Sequence, residues 1–227
     1  PASAQQAELL RGATLVRIDG EFDPDVWAAR DTVEGRRVAL KIAFEWVVKE
    51  FGRSAMEAEA RIACRLSHPN IVATRNADWL DGRFVMASEL AQGHVYDHGP
   101  AWRSGRVALR IVRDVAAGLA HAHSLSLMHR DVKPENVLIF ADGHAGLTDF
   151  GVSRFVRPES RSYTEAGTMG YMAPEQAYGK PTLSSDVFSL GLIGYELLSG
   201  KLLAWPFPWP PERYDRFAAK VHEPVRP

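Results

Sequence analysis

The sequence predicts an α+β fold in which a small antiparallel β-sheet with one helix precedes a mainly helical half. Two observations carry that prediction. In the first part of the chain, TLVRI, VWAARD and RRVALKIA are β-branched and alternating, and Gly20 to Asp25 and Glu34-Gly35 break them apart, as expected for three antiparallel strands. In the second part, Arg106 to Ser124 and Ser185 to Gly200 read as long helices, the first of them amphipathic. At 227 residues, 46% of them hydrophobic, the chain is long enough for one large domain or two modest lobes with apolar cores. A net charge of −1 supplies no global field toward nucleic acid or anionic lipid. No apolar run approaches the roughly 20 residues of a membrane helix, and the amino terminus lacks a signal-peptide pattern. The expectation is a cytoplasmic protein with neither a nucleic-acid nor a membrane partner. The single cysteine, Cys64, excludes an internal disulfide and reads as a small core residue on a helix.

Residues 1–11 are small and polar, a lead-in to the first strand. Lys41 ends the strand VALK. Ser54 to Leu66 has strong helix formers with apolar residues three and four apart, and carries two carboxylates, Glu57 and Glu59, on different faces. Phe84 to Gly93 reads as a strand running into a turn. His121, His123 and His129 invite a metal-site reading. Two of them sit two apart on a helix and diverge, and no cysteine or carboxylate completes a ligand set, so packing roles are expected. Asp142-Gly143 forms a turn between two short apolar strands.

Between the two long helices lies HRDVKPEN, His129 to Asn136, which places a carboxylate (Asp131), an ammonium (Lys133) and an amide oxygen (Asn136) on one loop stiffened by Pro134. Asp149-Phe150-Gly151 follows, then GTMGYMAPE from Gly167 to Glu175, then DVFSLG from Asp186. These strings, with VALK, occur in the order and spacing of the protein kinases, and the chain resembles a bacterial-type serine/threonine kinase over roughly residues 14–205. The resemblance implies a bilobal protein-kinase-like fold with a lobe at 12–88, a hinge at 89–93 and a second lobe at 94–227 that is truncated after the helix at 185–200. It implies ATP with magnesium, or manganese in its place, as cofactors. Asp131 is then the base and Lys133 supports the transferring group. Lys41 pairs with Glu59, or with Glu57 if the helix register shifts. Asn136 and Asp149 hold the metal. Val26, Ala39, Lys41, Glu89, Ala91 and Leu138 line the nucleotide site. Ser88, or Met86 under a two-residue shift, takes the gatekeeper position. Asp186 braces the catalytic loop. Arg130 pairs with a phosphorylated activation loop, in which Ser162, Thr164 and Thr168 are the regulatory candidates, alongside Ser160 and Tyr163.

Two features depart from the family pattern. The glycine-rich phosphate loop would place glycines where Asp19, Glu21 and Pro24 stand, and only Gly20 is present, out of register. Proline lacks the amide that must face a phosphate, and Asp19, Glu21, Asp23 and Asp25 repel a triphosphate. After Gly200 the chain is dense in proline and aromatics, and Arg226 is the lone weak candidate for the arginine that buries against Glu175. Either the tail with Trp205, Phe207 and Trp209 or a partner, such as a second copy in a homodimer, covers the exposed lobe, or the aromatic run packs locally. The leading functional expectation is a kinase acting on an unidentified protein substrate. The alternative is a pseudokinase serving as a nucleotide-binding or scaffolding module.

Overall fold

Cross-strand pairing builds the first part of the molecule. A computed structural model describes residues 16–17, 26–31, 34–43, 48–49, 52–80, 82–97, 104–150, 170–177 and 180–203. The chain divides into two units, Pro1–Gln92 and Gly93–Pro227. The phosphate-loop positions 19–25, the activation-segment positions 151–169 with Ser160, Ser162, Tyr163, Thr164 and Thr168, and the tail with Trp205, Phe207, Trp209 and Arg226 lie outside the described residues, as does the side chain of Glu59.

In the first unit, strands β1 (Val16–Arg17), β2 (Val26–Arg30), β3 (Arg37–Ile42), β4 (Thr74–Leu80) and β5 (Arg83–Glu89) form an antiparallel sheet in the order β1-β2-β3-β5-β4. Side chains alternate across a strand, so Trp27, Ala29, Val38, Leu40 and Ile42 gather on one face with Val85 and Ala87. Full burial of each large aliphatic side chain there contributes about 1.5–3 kcal/mol. The opposite face follows from the register: Val26 lies across from Lys41, Ala39 from Ser88, Lys41 from Met86, Met86 from Ala77, and Phe84 from Trp79. The sequence reading missed β4. Its TRNADWL has no apolar alternation, and it is an edge strand held by its ladder to β5.

Helix α1 (Arg53–Ala63) begins after Gly52, whose φ of 79° suits glycine. It buries Met56, Ala60 and Ala63, a three-to-four-residue stripe, and packs on β4. Cys64 corrects an expectation. It caps the helix C-terminus, with its N–H donated to Ala60 O at 2.8 Å, and is exposed, because the buried stripe ends at Ala63.

In the second unit β6 (Gly93–His94), β7 (Val137–Ile139) and β8 (Ala145–Leu147) form a small antiparallel sheet. Helix α2 (Gly105–Ser124) buries Ala108, Ile111, Val115, Leu119 and Ala122 and packs on β8 and on α4 (Leu183–Ser199). A short helix, α3 (Pro174–Ala177), precedes α4. A Cβ on Gly194 would lie 3.2 Å from Val112 Cγ2, so glycine permits the close approach of α4 to α2. Helix α4 starts with a capping box between Thr182 and Ser185 and stops at Gly200 in the left-handed conformation. No helix among the described residues is long and apolar enough to cross a membrane.

Candidate active site

Asp186 organises the site. It sits in the first turn of α4, 1% exposed, and its carboxylate accepts three hydrogen bonds of 2.8 Å: from the N–H groups of His129 and Arg130, and from His123 Nε2. A buried carboxylate requires such partners, and two of these three are backbone groups of the loop itself. The loop is thereby fixed at its entrance. Arg130 adopts a φ of 68°, a left-handed conformation that costs a non-glycine residue about 1–3 kcal/mol. Its N–H is held by Asp186 and its carbonyl accepts a hydrogen bond from Gln176 Nε2, so the backbone is constrained from both sides.

His129 is fully buried and joins two loops. Its Nε2 donates to Thr148 O at 2.7 Å, and its Nδ1 accepts from the Asp131 N–H at 3.2 Å, an arrangement that places the ring proton on Nε2. The ring packs edge-on against Phe150, centroids 4.7 Å apart. His123 bonds Asp186, so two of the three histidines do structural work in this network.

Asp131, Lys133 and Asn136 converge. Lys133 Nζ lies 3.0 Å from Asp131 Oδ2. Asn136, 5% exposed on the 3₁₀ turn Pro134–Asn136, donates from Nδ2 to Asp131 O at 2.7 Å and approaches Oδ2 at 3.3 Å. With the nitrogen so engaged, Oδ1 is the Asn136 atom with acceptor chemistry for a cation. Thr148 ties Asp149 to the same loop, because its N–H donates to Asn136 O at 2.9 Å while its carbonyl takes His129 Nε2. Asp149 also has a positive φ, 63°. Two left-handed residues, Arg130 and Asp149, thus flank the cluster of polar groups, each next to hydrogen bonds that hold its neighbours.

This geometry and the family comparison agree. The protein kinase domain family matches residues 20–214. The chain belongs to that family. The kinase domain is 32% identical over 194 residues to the serine/threonine-protein kinase PrkC of Bacillus subtilis (strain 168), a match spanning 82% of this chain and 30% of PrkC. It is 37% identical over 195 residues to the serine/threonine-protein kinase PknA of Mycobacterium tuberculosis, covering 78% of this chain and 44% of PknA. It is 36% identical over 185 residues to the serine/threonine-protein kinase PknE of Mycobacterium tuberculosis, covering 78% and 32%. The chain therefore spans less than half the length of these curated relatives.

The remaining expected positions of the kinase domain fall as follows. Val26, Ala39 and Lys41 share the sheet face opposite the apolar cluster, together with Met86 and Ser88, so both gatekeeper alternatives lie on the face that carries the lysine. Glu89 donates its N–H to Ala73 O at 3.0 Å, and its exposed carboxylate pairs with Arg75 at 2.9 Å. Ala91 follows the end of β5. Leu138 on β7 lies across from His94 and Gly146. Glu57 is engaged by Trp79, whose Nε1 donates to Oε1 at 2.9 Å.

Two contacts were not anticipated. Glu175 accepts a 2.5 Å hydrogen bond from the Ser185 hydroxyl, while Arg226, its arginine candidate, lies outside the described residues. Tyr96, just after β6, Tyr171 and the Glu196 carboxylate of α4 form a cluster in which the two phenol oxygens lie 2.7 Å apart and each also meets a Glu196 oxygen, so two phenol protons are shared among three contacts. Burial and the bond to Glu196 push the Tyr171 phenol well above its ordinary value. Burial pushes Tyr96 the same way, against a smaller downward effect of its bond to Tyr171. Each tyrosine and each carboxylate is unremarkable in its own stretch of sequence, so only their convergence reveals the cluster.

Proposed function

We propose that this kinase domain transfers the terminal phosphoryl group of ATP to a serine or threonine hydroxyl of a protein substrate. The observation that supports it best is the convergence of Asp131, Lys133 and Asn136 on a loop clamped by Asp186. Asp131 orients the acceptor hydroxyl and takes its proton as the oxygen–phosphorus bond forms and the bond to the leaving diphosphate breaks. Lys133, beside Asp131, neutralises charge on the transferring group. The donors suit magnesium: Asn136 offers an amide oxygen held in place by its own nitrogen's bond, and Asp149 a carboxylate, both hard oxygen ligands. Bound there, magnesium would neutralise the terminal phosphates. Lys41, on the face shared with Val26 and Ala39, holds the inner phosphates, and Glu59 holds Lys41. Arg130 serves as the partner of a phosphorylated Thr164 in the activation segment.

Intact mass after incubation with ATP and magnesium tests the reading, because it reports transfer and the number of sites together. Asp131→Asn should lower transfer about 10²- to 10⁴-fold while ATP binding persists. An unchanged transfer rate removes Asp131 from the role of base.

A further inference from the structure

Two carboxylates on α1, Glu57 and Glu59, compete by sequence for Lys41 of β3. We infer that Trp79 is a positioning residue, fixing the rotation of α1 so that Glu59, and not Glu57, is presented to Lys41; this rests on the kinase reading of that lysine. At about 100° per residue, Arg53 and Glu57 border the buried stripe Met56–Ala60–Ala63 on one side, and position 59 falls on its other border. The first border is anchored twice to one indole. Trp79 Nε1 donates to Glu57 Oε1 at 2.9 Å, and the Arg53 guanidinium stacks on the same ring at 4.1 Å from its centroid. The indole is itself braced by Phe84, 5.2 Å away between centroids. Trp79 belongs to the edge strand β4, and its register through Phe84 and Met86 puts it on the same sheet face as Lys41. Helix α1 packs on β4, and with Glu57 held at the Trp79 indole the border that carries position 59 is turned away from that indole. The clamp thus removes Glu57 from the competition and leaves position 59 as the carboxylate-bearing position for Lys41.

The test uses the full chain and needs no nucleotide. Thermodynamic coupling between Lys41→Met and Glu59→Gln is measured from urea midpoints in the parent and again in Trp79→Phe, which keeps an aromatic ring but loses the N–H donor. The expected result is coupling in the parent that is lost in Trp79→Phe, and no coupling between Lys41→Met and Glu57→Gln in either. Retained Lys41–Glu59 coupling in Trp79→Phe, or its absence from the parent, overturns the assignment. ATP titration supplies a second readout. Trp79→Phe and Glu57→Leu should weaken ATP about 3- to 10-fold, the size of one lost hydrogen bond. Glu57→Gln, which retains a carbonyl acceptor, should bind as the parent does, and Trp79→Phe should add nothing in a Glu59→Gln background. Variants that lower the urea midpoint but leave ATP affinity unchanged make Trp79 a purely structural residue and overturn the proposal. A parent chain that binds no ATP refutes the kinase reading instead, and the coupling measurement still decides the role of Trp79.

Discussion

Asp186→Ala is the most informative single change. It removes the acceptor of three 2.8 Å hydrogen bonds, two of them from backbone N–H groups, one of which belongs to the fully buried His129. An orphaned buried donor costs about 1–3 kcal/mol, so the two N–H groups together cost about 2–6 kcal/mol. His123 is partly exposed and regains water, and relief of the buried carboxylate's desolvation offsets part of the loss. With the Arg130 N–H only partly buried, the net destabilisation should be about 2–4 kcal/mol. For a chain of this size that lowers the melting temperature by about 4–16 °C. The consequence for catalysis is separate. Arg130 holds a strained φ of 68° between Asp186 and Gln176, and without Asp186 it relaxes and carries Asp131 away from Lys133 and Asn136. Thermal denaturation followed by near-ultraviolet circular dichroism, with phosphoryl transfer assayed well below the transition, separates the two effects. Asp186→Asn keeps one acceptor oxygen and should show about half the stability loss. A melting temperature for Asp186→Ala within about 2 °C of the parent, with transfer intact, would refute the claim that this carboxylate holds the loop.

Ser185→Ala deletes both the hydroxyl that satisfies Glu175 at 2.5 Å and the acceptor for the Thr182 N–H at 3.0 Å. It should cost about 1–3 kcal/mol, read as a lower urea midpoint; no change would mean that Glu175 and the α4 cap do not depend on it. Tyr96 and Tyr171 hold their protons more tightly folded than unfolded, so their contribution to stability is complete below about pH 10 and is lost as pH rises above it. In an alkaline absorbance titration of the six tyrosines, these two should ionise only as the folded circular-dichroism signal disappears. Ionisation of all six near pH 10 with the fold intact would contradict the buried cluster with Glu196. The loss of transfer in Asp131→Asn and the coupling changes in Trp79→Phe complete the set.

Local periodicity carried a large part of the fold. The apolar repeat places a helix at 106–124 and another at 185–200, and the observed helices are Gly105–Ser124 and Leu183–Ser199. Strand β3 announces itself because its buried and less buried residues alternate, and β2, buried at Trp27, Ala28 and Ala29 in succession, does so as a short apolar run bounded by turn residues. Strand β4 does not, since Arg75, Asn76 and Asp78 face solvent at the sheet edge, and its place comes from hydrogen bonds to β5 that no pattern within TRNADWL encodes. Cys64 misled for a related reason: helical spacing continues the buried stripe to position 64, but the helix ends one residue earlier.

Asp131, Lys133 and Asn136 stand together on one short loop in the sequence, and the resemblance to the protein kinases added Asp149 and the distant Asp186 to them. Which donor meets which acceptor was settled only in three dimensions. Asp186 reaches His129 across 57 residues, Trp79 reaches Glu57 across 22, and Tyr96 reaches Glu196 across 100. A one-dimensional pattern records how often a side chain turns toward the interior. It does not record what waits there, and for buried polar groups that partner determines both the energy and the geometry of the site.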